Sequence, residues 1–141
     1  MFRLHKLGYM FQDYALIDNA TVADNISLAQ LDTPRKLRRG EAEAALDYVG
    51  LAGRSKDRIF TMSGGEQQRV ALARLLVKKP GLILADEPTG ALDEANARMV
   101  VDGLRGLAQK GATVILATHS RRVALSCDAV IDLEAARTDL R

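Results

Sequence analysis

The chain has 141 residues, 48% of them hydrophobic, enough for one domain with a real core; 20 basic against 18 acidic side chains leave a net charge of +2, too small to direct it to nucleic acid. Its one cysteine, Cys127, excludes an internal disulfide, and no Cys/His spacing matches a zinc site, so a reducing, cytoplasmic setting is expected. The longest apolar runs, Val70 to Val77 and Leu82 to Ala85, fall short of the roughly 20 residues that span a bilayer, and the start of the chain lacks the apolar core of a leader, so any membrane role must come through a partner.

In chain order, Thr21 is a predicted N-cap with Asp24 in the first turn of a helix, and an alanine- and leucine-rich helix is expected from Glu41 to Val49, after a break at Asp32-Thr33-Pro34. Gly50 to Asp57 reads as a loop. A helix is expected over Gly64 to Lys79, then a buried parallel strand at Leu82 to Ala85 that ends in Asp86 and Glu87. Ala97, Val100, Val101, Leu104, Leu107 and Ala108 fall at helical spacing, with Gly111 suited to the C-terminal cap. A β-branched strand at Thr113 to Ala117, a short helix after Ser120 and a last strand at Ala129 to Leu133 complete an αβαβαβ series. Its natural home is a parallel α/β sheet covered by helices.

Chemistry concentrates in a few segments. Ser63 followed three residues later by Glu66 forms a capping box, and Gly64 and Gly65 would let a phosphate approach amides at the positive end of the helix dipole. Taken alone, Ser-Gly-Gly-Glu is equally a plain helix start. Asp86 and Glu87 follow a buried strand, at the sheet edge where α/β folds bind ligands. An aspartate there suits a hydrated magnesium ion, and an adjacent glutamate suits a general base toward water. His119, after another strand, could donate to a transferring phosphoryl group. The basic run Arg35-Lys36-Leu37-Arg38-Arg39 reads as a solvated face, since no aromatic side chains are interleaved to stack bases.

In order along the chain, Gln12, Ser63 to Gln67, Leu82 to Glu87, Ala91-Leu92-Asp93 and His119 resemble the ABC-transporter ATPase family over nearly the whole length. The resemblance implies a P-loop NTPase-like parallel sheet with flanking helices plus a small α-helical signature subdomain. Residues 13–80 would form that subdomain, and 1–12 with 81–141 the remainder of the RecA-like core. It implies ATP and Mg²⁺ as cofactors, with Gln12 as the Q-loop glutamine that senses the metal. Ser63, Gly64, Gly65, Glu66 and Gln67 would be the signature, Asp86 the Walker B metal ligand, Glu87 the catalytic glutamate, Asp93 the D-loop aspartate and His119 the switch histidine.

The partners implied are a membrane-spanning permease subunit, which would hold the chain at the inner face of the cell membrane, and a second ATPase subunit. In that head-to-tail pair each signature grips nucleotide held by the other subunit; no nucleic acid is implied. The wording of the Gln12 and Ser63 blocks is similar to the lipoprotein, macrolide and bacteriocin exporter branch. A DNA-maintenance ATPase of the same type is disfavoured, because only about fifty residues without a heptad pattern separate Gln12 from Ser63. Met62 and Glu66 stand where the family more often has leucine and glutamine.

A phosphate loop of the form G-x-x-x-x-G-K-[ST] is expected well before the Q-loop, yet eleven residues precede Gln12. Gly50 to Asp57 does not supply it, since Ser55 replaces the second glycine and Asp57 the hydroxyl residue. The expectation is a chain lacking the family's N-terminal strands and Walker A loop, with an uncovered sheet edge. Two functions remain open: an energy-coupling ATPase subunit, and a non-catalytic protein that offers its signature face to a complete ATPase subunit.

Overall fold

The computed structural model describes residues 6–11 and 14–133. Three parallel strands form one sheet in the order β1-β2-β3: β1 (Leu7–Met10), β2 (Leu82–Asp86) and β3 (Thr113–Ala117). Leu7 pairs with Leu82 and Met10 with Ala85, while Leu82 pairs with Thr113 and Asp86 with Ala117. Alternation then puts Gly8, Met10, Ile83, Ala85, Val114 and Leu116 on one face. Met10 and Ile83 there are fully buried, whereas Ile115 on the opposite face is 57% exposed.

The helices are α1 (Val22–Ser27), α2 (Arg35–Tyr48), α3 (Gly64–Lys78), α4 (Glu94–Gln109) and α5 (Arg121–Leu125). Thr21 caps α1 as expected: its hydroxyl accepts the Asp24 N–H while the Asp24 carboxylate accepts the Thr21 N–H. Buried Asn25 secures the preceding loop, accepting the Ile17 N–H and donating to the Ile17 and Thr21 carbonyls. The helix expected from Glu41 begins earlier, at Arg35, directly after Pro34. Proline's fixed φ makes it a natural helix entry.

The central element is α3. It packs against β1, α1, α2 and α4, so residues of the helical layer and of the sheet share one hydrophobic core. Val70, Leu72 and Leu75 line its buried side. The helix ends at Lys79 in the left-handed conformation (φ 51°), and buried Pro80 follows. β1 comes so close to this corner that a Cβ on Gly8 would lie 2.6 Å from Leu75 Cδ2 and 2.7 Å from Pro80 Cγ. Gly111 takes φ 102° one residue beyond the α4 C-cap, the position where glycine is favoured.

One expectation fails. Ala129 to Leu133 is not a strand, and it pairs with no strand among the described residues. Val130, Ile131 and Leu133 are all exposed instead of alternating in and out, so the apolar pattern has no sheet face to specify it. Conversely, β1 was not expected: four residues containing a glycine carry little strand signal, and only the approach to Pro80 explains why glycine stands there.

Candidate functional site

The predicted site residues fall into two groups, one at the exits of two strands and one at the start of a helix. β2 ends at Asp86, whose side chain is exposed, and the chain leaves through Glu87 in the left-handed region (φ 45°). The Glu87 N–H donates to the Ala117 carbonyl at 2.9 Å, extending the β2–β3 ladder by one bond. Its carboxylate, only 21% exposed, folds over the exit of β3. There Oε1 accepts the His119 N–H at 2.6 Å and Oε2 accepts the Thr118 hydroxyl at 3.3 Å. The His119 imidazole is fully exposed, with Nε2 3.8 Å from Glu87 Oε1.

The second part is the start of α3. The Ser63 hydroxyl accepts the Glu66 N–H and the Glu66 carboxylate accepts the Ser63 N–H, completing the expected capping box. Ser63 and Gly64 are exposed. A Cβ on Gly65 would lie 3.4 Å from Leu92 Cδ2, and one on Gly64 3.0 Å from the Tyr14 hydroxyl, so small residues keep this surface open.

Glu66 also pairs with Arg54, which bonds Asp57 at 2.6 Å. The Ser63 N–H, then the Arg54 guanidinium, hold the Glu66 carboxyl below its ordinary value. A depressed carboxylate stabilises the fold fully above its unfolded value and loses that contribution as pH falls through the folded one. Glu66→Gln is therefore expected to lower Tm near neutrality, where the carboxylate contributes fully, and to converge with wild type in acid, flattening the limb of the Tm-against-pH curve that falls below about pH 4.5.

Of the other predicted site residues, Gln67 turns its amide inward, donating to the Ile59 and Met62 carbonyls and so fixing the 3-10 turn Ile59–Thr61 that leads into Ser63. Asp93 caps α4: its carboxylate accepts the Asn96 N–H and then the Asn96 side-chain amide, and both lower its pKa. Gln12 lies outside the described residues. Sequence reasoning missed Gln68, 3% exposed, whose Nε2 donates to the Pro88 carbonyl at 2.7 Å and ties α3 to the turn bearing Glu87. Its one signal is a polar residue on the apolar side of a helix. Thr118 was passed over because its neighbour His119 carries the more obvious chemistry.

Among the described residues no three His, Cys, Asp or Glu side chains cluster to hold a metal. A lone exposed carboxylate such as Asp86 suits Mg²⁺, which keeps several waters and binds through substrate phosphates. No described helix is long and apolar enough to cross a membrane.

Residues 2–90 match the family model described as ABC transporter. Macrolide export ATP-binding/permease protein MacB of Rhodospirillum rubrum is 44% identical over 137 residues, which are 96% of this chain and 21% of that protein. Pyoverdine export ATP-binding/permease protein PvdT of Pseudomonas syringae pv. tomato is 42% identical over 93% of this chain and 20% of its own length. This chain therefore spans about a fifth of the curated relatives it matches.

The dimeric MJ0796, a bacterial ABC transporter cassette, superimposes with a TM-score of 0.79 at 35% identity, over 89% of this chain and 57% of the cassette. The same cassette in a post-hydrolysis state bound to ADP and Pi gives 0.78 at 34%, over 88% and 56%. The strand-end acids and the capped glycine turn thus lie on an ABC cassette fold, and the chain belongs to the ABC transporter family.

Proposed function

We propose that this chain is the ATP-hydrolysing, energy-coupling part of an ABC exporter, completed by a phosphate loop outside these 141 residues. The observation that carries the reading is Glu87, a carboxylate held at the C-terminal edge of a parallel sheet beside Asp86 and His119. The export function named for MacB and PvdT, and the ADP and Pi bound to MJ0796, support it.

In this reading Glu87 accepts a proton from the attacking water, and His119 donates to the charge that builds on the phosphoryl oxygens. Asp86 would help hold a hydrated magnesium ion, which would supply neutralisation of phosphate charge. Ser63, Gly64 and Gly65 present hydroxyl and amide donors to nucleotide held by a second ATPase subunit. Glu66 and Gln67 fix the turn that presents them, and Asp93 orders the neighbouring loop. Gln12 monitors the metal. Residues 13–80 face the membrane-spanning permease, and 1–12 with 81–141 belong to the nucleotide-binding core, at the inner face of the membrane.

The deciding measurement is ATP binding with Mg²⁺ to the 141-residue chain alone, and then to the chain extended upstream or mixed with a complete homologous subunit whose catalytic glutamate is glutamine. Binding only in the extended or mixed sample is expected. Micromolar affinity for the short chain alone would place the phosphate site elsewhere. Binding in the mixed sample, with no hydrolysis under any arrangement, would favour the second reading, in which exposed Ser63 and Gly64 serve only as a face for a complete subunit.

A further inference from the structure

We propose that Thr118 is the positioning residue for Glu87, aiming its carboxylate at the attacking water; the inference rests on the hydrolytic reading above. Glu87 is a non-glycine residue in the left-handed region, a conformation that persists only where its surroundings hold it. Three bonds do so, all from the exit of β3: the Ala117 carbonyl accepts the Glu87 N–H, the His119 N–H donates to Oε1, and the Thr118 hydroxyl donates to Oε2.

The direction of the last bond is fixed. Thr118 Oγ1 accepts the Ser120 N–H at 3.0 Å, and an amide nitrogen can only donate, so the single hydroxyl hydrogen is free for the carboxylate. The His119 imidazole, 3.8 Å away, is beyond hydrogen-bond reach of Oε1 and does not orient it. Orientation therefore comes from one backbone amide and one hydroxyl. Each carboxylate oxygen takes one internal donor and keeps lone-pair capacity for water. Thr118 retains its own proton throughout; the proton of the attacking water goes to Glu87.

The test uses the gene's complete product. Thr118→Val is expected to lower kcat about tenfold with KM for ATP unchanged, the pattern of an interaction that matters only in the transition state. Thr118→Ser should recover most of the loss, and Thr118→Cys, with a weak donor, should fall between; that series serves if the valine variant does not fold. In a Glu87→Gln background, followed by single-turnover hydrolysis, Thr118→Val should add no further loss, because its effect runs through the carboxylate.

An equal cost in both backgrounds, a serine variant no better than valine, or an unchanged kcat overturns the proposal. Wild type without hydrolysis, or Glu87→Gln as fast as wild type, overturns the hydrolytic reading itself.

Discussion

Replacing Glu87 by glutamine is expected to lower ATP turnover by about 10²- to 10⁴-fold, the range over which a positioned general base contributes. The substitution preserves shape. The glutamine oxygen can still accept the His119 N–H, and the new NH₂ group can donate to the second lone pair of the Thr118 hydroxyl, although that hydroxyl's own hydrogen loses the carboxylate as its acceptor. What disappears is the basic oxygen. Phosphate release and equilibrium ATP binding, measured on the same preparation, separate the two effects: turnover should collapse while affinity stays near wild type. Turnover within a few-fold of wild type would remove Glu87 from the chemistry.

The largest effect on stability is expected from Leu72→Ala, at about 2–5 kcal/mol. Leu72 is fully buried at the middle of α3, the helix on which the rest of the core converges. Its methyl carbons sit where a side chain at Gly103 of α4 would begin, 2.9 Å from an ideal Cβ there, so Leu72 fills the gap that glycine leaves. Truncation opens a cavity bounded by two helix backbones that cannot readily close on it. Against the usual 5–15 kcal/mol of a domain, this is a large fraction. Urea denaturation, read as a fall in midpoint with unchanged slope, checks it.

The helical parts of this fold were legible because their signals are local. Ser63 with Glu66 and Thr21 with Asp24 are reciprocal caps that need only a three-residue spacing, and both form. The strands β2 and β3 were legible because β-branched and aliphatic runs ending in polar residues leave few other options. Legibility failed where a segment depends on distant neighbours. Tyr9 and Met10 become strand only because β2 pairs with them, and Val130 and Ile131, with the same apolar character, find no strand among the described residues.

The site divides in the same way. Residue types and order indicated Asp86, Glu87 and His119, but the left-handed backbone of Glu87 and its bonds to Thr118 and the His119 amide arise from strand ends 32 residues apart in sequence. Gln67 was expected at the nucleotide, and in this structure its amide clamps the Ile59–Thr61 turn. A side-chain amide is chemically suited to either task, and only the nearby carbonyls decide.

The bond from Gln68 to the Pro88 carbonyl has a thermodynamic consequence. It lies one turn inside α3, whose first residues are the exposed Gly64 and the half-buried Gly65, and it ends one residue past Glu87. A helix is stiff along its axis, so the capped end and the turn bearing the carboxylate cannot relax independently. Whatever part of a bound group's free energy is coupled to the turn through that bond, the same coupling acts from the turn on the helix start.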